Sequence, residues 1–246
     1  MALKNIQHKQ QSMYISYEII NPEAKYDIVF LHGWGSNKEL MKGVFAPHLK
    51  QFRHIYIDLP GFGNSTNAIA LETDDYATVL ERFFAETGIS KNIIVGHSFG
   101  GKVGLLLQPD VLVLVASAGI YVPKSFKVWA KIRLFKVLKV FGITSLRKIF
   151  AASDAKELSE PMYQTFKNVV NEDFSKQFEN YEGEALLCWG RDDTATPLHT
   201  AHTINGLIKN SRLVEYSGDH YFFMQNGGSV ASEIENTFLA SLGHKS

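Results

Sequence analysis

The segment Gly96-His97-Ser98-Phe99-Gly100-Gly101 holds a serine between glycines placed two positions before and two after it. An apolar run, 92–95, precedes it, and the helix-like Lys102-Val103-Gly104-Leu105-Leu106-Leu107 follows. A strand that turns this sharply into a helix leaves no room for a Cβ at the flanking positions and holds the serine hydroxyl out at the top of a sheet. The helix N-terminus at the same turn favours negative charge developing nearby. The chemistry implied is nucleophilic attack by Ser98, which needs a base, an acid to orient that base, and an oxyanion hole. His220 offers the base, in Ser217-Gly218-Asp219-His220 after the run 212–216. Gly190-Arg191-Asp192-Asp193, after the run 185–189, offers a carboxylate from Asp192 or Asp193, while Asp219 reads as a turn residue. Serine, aspartate and histidine thus follow one another in that chain order, each just past an expected strand. After the run 28–31, His32-Gly33-Trp34-Gly35 could aim the backbone N–H of Trp34 at a carbonyl oxygen, with the N–H of Phe99 as second donor. Loss of one such donor costs ~3 kcal/mol in a transition state. Trp34 and Phe99 are also expected to line the acyl side of the site. His32 reads as a loop-stabilising side chain rather than the base.

The elements that must position these residues can be read from hydropathy. Seven short apolar runs stand out, at 14–20, 28–31, 54–57, 92–95, 111–116, 185–189 and, more weakly, 212–216. The first alternates apolar and polar residues as a half-solvated antiparallel strand does. Those that follow are nearly continuous in Val, Ile and Leu, the pattern of strands buried on both faces of a parallel sheet. Helical spacing marks 73–87, closed by Gly88, and 229–242. The expected fold is therefore α/β, a mostly parallel twisted sheet flanked by helices, with functional groups on loops at the carboxyl ends of strands. Between about 120 and 182 no strand signal occurs. The expected organisation is a core of 1–119 and 185–246 with a helical cap, 120–184, inserted over the edge of the sheet.

These residues resemble the alpha/beta-hydrolase superfamily over essentially the whole chain. In that family the acid stands three residues after the glycine that ends its strand, so the resemblance selects Asp193 over Asp192. Asp58-Leu59-Pro60-Gly61-Phe62-Gly63-Asn64-Ser65 matches a family loop that lines the site without doing chemistry. Only seven residues separate Gly101 from Pro109, which makes the helix after the nucleophile about a turn shorter than usual. Ser98 disfavours the branches that carry aspartate there. The resemblance implies a serine hydrolase with catalytic Ser98, Asp193 and His220, acting on a carboxylic ester. His32-Gly33-Trp34-Gly35 together with Asp58–Gly63 resembles carboxylesterases of the pimeloyl-carrier-protein methyl ester esterase kind. Gly190-Arg191-Asp192-Asp193 with Pro197-Leu198 resembles meta-cleavage-product hydrolases, which cut carbon–carbon bonds, but those commonly carry asparagine where His97 stands. A thioesterase, an acyltransferase and a catalytically silent binding protein of the same fold remain alternatives. Trp129, in the cap, is a further candidate for substrate contact.

Composition sets the limits. The chain has 246 residues, 45% hydrophobic, with 25 basic and 25 acidic residues. At this length roughly 70–75% of the unfolded surface can be buried, so no disulfide or metal is needed for folding. The single cysteine, Cys188, excludes a disulfide framework and a cysteine-based zinc site and reads as a core residue. His199 and His202 lack the rest of a zinc-hydrolase ligand set. No dinucleotide or phosphate-loop fingerprint occurs, so no cofactor and no metal are expected. Neutral charge argues against a nucleic-acid partner, and the absence of long apolar runs argues for a cytoplasmic protein without a transmembrane segment. The balance is uneven along the chain: 121–150 carries eight basic residues and no acidic one, and 153–184 carries eight acidic residues against three lysines. The basic stretch suggests either a solvated face paired with its acidic neighbour or a surface for an anionic or carrier-protein-bound substrate, or for a membrane.

Overall fold

A computed structural model describes residues 1–122 and 159–244. Eight strands form one sheet: β1 (Ala2–His8), β2 (Gln11–Ile20), β3 (Tyr26–Leu31), β4 (Phe52–Ile57), β5 (Ile93–His97), β6 (Val111–Val115), β7 (Glu184–Gly190) and β8 (Ser211–Tyr216). Their order across the sheet is β1-β2-β4-β3-β5-β6-β7-β8. The pairs β1–β2 and β2–β4 are antiparallel, and every pair from β4 to β8 is parallel. Each of the seven apolar runs is a strand of this sheet. β5 and β6 are buried at every residue, as strands covered on both faces must be.

Helices cover both faces. Among the described residues they are, in chain order, α1 (Lys38–Phe45), α2 (Thr73–Thr87), α3 (Phe99–Leu106), α4 (Glu160–Val169), α5 (Ser175–Glu179), α6 (Leu198–Leu207) and α7 (Phe223–His244). α2 has the bounds its spacing predicts, and Gly88 ends it in the left-handed conformation at φ 64°. α3 has eight residues, in keeping with the shortness expected between Gly101 and Pro109. One core layer packs α2 and α3 against β1–β4 through Tyr76, Leu80, Phe83 and Val103. Another packs α1 and α7 on the opposite face through Met41, Phe45, Ile234 and Phe238 and includes Cys188, whose thiol burial pushes up to about 12. Among the described residues no helix is long and apolar enough to cross a membrane.

β1 and the start of α7 differ from expectation, and α1 and α6 were not located from the sequence. β1 was not foreseen, because in Ala-Leu-Lys-Asn-Ile-Gln-His only Ile6 and His8 are buried. It is held by a tight hairpin whose turn residues, Lys9 and Gln10, both take positive φ (45° and 62°), a geometry usually signalled by Asn or Gly. α7 begins six residues before the expected start. Its first turns are separated from the rest by non-helical angles at Asn226, and Gly227 and Gly228 hide them from a propensity reading. Gly227 lies against α1, where a Cβ would come within 2.7 Å of Val44 Cγ1.

The sheet order places β3 between β4 and β5, so the chain reverses its winding there. In open α/β sheets the crevice at such a point, outside the carboxyl ends of the strands, is where ligands bind. The loop Gly33–Gly35 leaves β3 and the Ser98 turn leaves β5, which makes the two adjacent. A Cβ on Gly33 would lie 3.1 Å from Ser98 Cβ.

Candidate active site

Ser98 sits between β5 and α3 with φ 51° and ψ −114°, a strained backbone for a residue with a side chain. The strain is imposed from both sides. Ser98 N–H donates to the Val115 carbonyl (3.1 Å), and its own carbonyl accepts from the N–H groups of Gly101 (3.0 Å) and Ala118 (3.1 Å). The glycines at 96 and 100 are required by close approach: a Cβ on Gly96 would run into the Gly100 carbonyl, and one on Gly100 would sit 2.5 Å from the Leu31 carbonyl oxygen. The side chain of Ser98 faces a cavity of about 290 Å³.

Two of the three expected residues, Asp193 and His220, meet. His220 Nδ1 lies 2.8 Å from Asp193 Oδ2. Facing a carboxylate, Nδ1 carries the proton and leaves Nε2 as an acceptor. Asp193 is itself held fast. The N–H groups of Ala195 (2.8 Å) and Thr196 (2.9 Å) donate to Oδ1, and Thr196 Oγ1 lies 2.8 Å from Oδ2. Burial works to raise the Asp193 pKa. Hydrogen bonds from His220 and the Thr196 amide outweigh it, so the carboxyl is held below its ordinary range. Asp192 takes no part in this contact, while Asp219 Oδ1 accepts from the Tyr221 N–H (2.8 Å), a turn role.

Among the described residues no hydrogen bond joins Ser98 to His220, a separation common before a substrate tightens the site. His97 nonetheless ties the two together. Its Nε2–H donates to the His220 carbonyl (3.2 Å), and its ring lies 4.8 Å from the His220 ring. Burial, reinforced by His220, lowers the His97 pKa to about 3, so this ring stays neutral beside His220.

On the β3 side, Ser36 N–H turns back to the Gly33 carbonyl (3.2 Å). The amides of Trp34 and Phe99 donate to no backbone carbonyl among the described residues. His32 has both ring nitrogens engaged. Nε2 accepts the Leu59 N–H (3.0 Å), so Nδ1 donates to the Gly33 carbonyl (2.8 Å). Burial lowers its pKa to about 4. This is the loop-stabilising role expected of it. The loop Asp58–Ser65 does not line the cavity but backs it, with the Phe62 ring 4.8 Å from Trp34.

Among the described residues the cavity walls include Trp34, Phe99, Phe166 and Val169, with Lys102, Asn171, Glu172, Thr196 and Thr200 among the polar members. Phe166 and Val169 belong to α4, within the segment expected to be a cap. Trp129 and all the basic residues of 121–150 lie outside the described residues. Thr196, Lys102 and Glu172 were not singled out from sequence. A lysine in the otherwise apolar α3, four residues from the serine, was the available signal for the second of them.

A family model described as the alpha/beta hydrolase fold matches residues 27–145. A pimeloyl-[acyl-carrier protein] methyl ester esterase of Shewanella woodyi is 28% identical over 203 residues, 70% of this chain and 77% of that protein. An esterase from Exiguobacterium antarcticum superposes with a TM-score of 0.74 at 21% identity, covering 95% of this chain and 98% of the other. A meta-cleavage product hydrolase from Pseudomonas fluorescens IP01 does so with 0.71 at 18% identity, covering 97% and 98%. The sheet order and the strained serine turn define the class: the chain has the alpha/beta-hydrolase fold, and it is similar to the esterases and the hydrolase just described.

Proposed function

We propose that this protein is a serine hydrolase that cleaves a small carboxylic ester through an acyl-enzyme. His220 Nε2 takes the Ser98 proton as Oγ attacks the ester carbonyl, and Asp193 orients the imidazole and stabilises its charged form. The Trp34 and Phe99 amides receive the developing oxyanion. His220 then protonates the leaving alcohol, and water repeats the sequence to release the acid. The observation that carries this reading is the 2.8 Å Asp193–His220 contact, beside a strained serine that opens onto a cavity. A cavity of about 290 Å³ is at the small end of ligand sites, which favours a short acyl group. The similarity to a carrier-protein ester esterase keeps a carrier-bound ester within the substrate class. The test is an assay of short and medium p-nitrophenyl esters beside a dienoic ring-cleavage product. Ester turnover that fades with chain length is expected, and turnover of the dienoic compound alone would refute the proposal.

A further inference from the structure

Lys102 lines the same cavity as Ser98, yet its side chain is only 4% exposed. Ser98 caps α3 and Lys102 follows four residues later, so the two share a helix face about one turn apart, ~6 Å along the axis. Lys102 Nζ donates to the Val169 carbonyl (2.6 Å) and to Glu172 Oε2 (2.7 Å). That same Oε2 accepts the Thr73 hydroxyl (2.5 Å). An ammonium has three N–H donors and a carboxylate two oxygens. Among the described residues no acceptor takes the third N–H of Lys102, and Glu172 Oε1 accepts no hydrogen bond. The rings of Phe99 and Phe174, 5.4 and 5.1 Å from Nζ, shelter the charge.

Lys38 shows what a closed buried pair looks like in this fold. Its ammonium donates to Asp58 (2.7 Å) and Ser16 (3.0 Å), with the exposed Glu39 carboxylate 3.7 Å away as an ionic contact only; both oxygens of Asp58 accept hydrogen bonds, and Lys38 lines no part of the cavity. The Lys102–Glu172 pair has one donor and one acceptor left over, at the wall of the space into which Ser98 opens.

We infer that Lys102 and Glu172 form a subsite that reads a hydroxyl on the acyl chain of the ester. The inference rests on the esterase reading of Ser98. The third N–H of Lys102 donates to the hydroxyl oxygen, and the hydroxyl donates to Glu172 Oε1. The pair is neutral overall, so a carboxylate in its place meets the charge of Glu172 and has no proton to give to Oε1. A methyl group leaves both valences unsatisfied. Sites built to hydrogen-bond a substrate hydroxyl reject the analogue that lacks it far more strongly than apolar pockets discriminate by size.

The experiment compares kcat/KM of the unmodified protein for methyl 3-hydroxybutanoate and methyl 6-hydroxyhexanoate with methyl butanoate, methyl hexanoate and monomethyl adipate. The expected result is a preference of about tenfold or more for at least one hydroxy ester over its alkyl partner, and a lower value for monomethyl adipate than for methyl 6-hydroxyhexanoate. In Lys102→Met the hydroxy-to-alkyl ratio should fall to about one. Alkyl esters equal or better throughout, a preference for the carboxylate, or a ratio that survives in folded Lys102→Met would overturn the subsite while leaving the esterase reading intact. If Lys102→Met does not fold, the comparison on the unmodified protein decides alone. Turnover of none of these esters would remove the esterase reading, and the subsite with it.

Discussion

Two histidine–carboxylate clusters stand at the carboxyl ends of this sheet. His32 follows β3 with Asp58 and Lys38 nearby, and His220 follows β8 with Asp193 and Thr196. They share residue types and differ in what is left unused. Both nitrogens of His32 are engaged with backbone, the ring is wholly buried, and Asp58 accepts from Lys38 Nζ and from the N–H groups of Lys38 and Asn64. His220 has one nitrogen on Asp193, and among the described residues its Nε2 makes no hydrogen bond. The first cluster shapes a loop, while the second retains an acceptor, the one the proposed mechanism uses. An aspartate beside a histidine does not by itself mark a catalytic pair; the proposed role of His220 rests on its unengaged nitrogen.

The sharpest way to break this contrast is to remove each histidine. His220→Ala should lower kcat by about 10⁴-fold or more and leave the melting temperature nearly unchanged. His32→Ala should instead cost about 2–4 kcal/mol of unfolding free energy, because it leaves the Leu59 N–H and the Gly33 carbonyl without their partner. Chemical denaturation beside steady-state kinetics on both variants reads the two effects together. The carboxylates should divide the same way. Asp193→Asn is expected to lower kcat by about 10⁴-fold through the wrong imidazole tautomer. Lys38→Met, which strands the Asp58 carboxylate, is expected to cost about 3–5 kcal/mol of stability, with the folded fraction still active. Equal losses of stability at Asp193 and Lys38 would erase the distinction.

A smaller effect concerns pH. The folded pKa values of His32 and His97, about 4 and about 3, lie below the value near 6.5 of an unfolded histidine. Between these limits the unfolded chain binds protons that the folded chain does not, so stability falls as pH drops from about 6.5 towards 4. The Asp58 and Asp193 carboxyls, held below their ordinary range, contribute stability above the unfolded aspartate pKa near 3.9 and lose it at still lower pH. Thermal melts across pH 4–7 should therefore decline before the carboxylates titrate. A flat profile down to pH 4 would contradict the burial of neutral histidines.

Much of this was legible because its physical causes act locally. β5 and β6 could be read from unbroken Val, Ile and Leu, since burial on both faces removes the need for polar residues. The Ser98 turn could be read because Gly96 and Gly100 answer to backbone collisions within a few residues. β1 could not, since only Ile6 and His8 face inward and its turn uses Lys9 and Gln10. Asp193 was separable from Asp192 through the family resemblance, and the structure adds the reason: its carboxylate receives the Ala195 and Thr196 amides and faces His220. Lys102 and Glu172 escaped because each depends on the other across 70 positions, which spacing along the chain does not reveal, while Thr196 holds Asp193 from three positions on, through a loop geometry that residue types alone do not show.

The central claim is that Ser98 is an activated nucleophile while the other buried hydroxyls are structural. A fluorophosphonate probe applied to the folded protein, with the adduct located by peptide mass spectrometry, measures this directly. The account predicts a single stoichiometric adduct on Ser98 that is lost in His220→Ala. No labelling of the folded protein, or an adduct on Ser117 in place of Ser98, would contradict it.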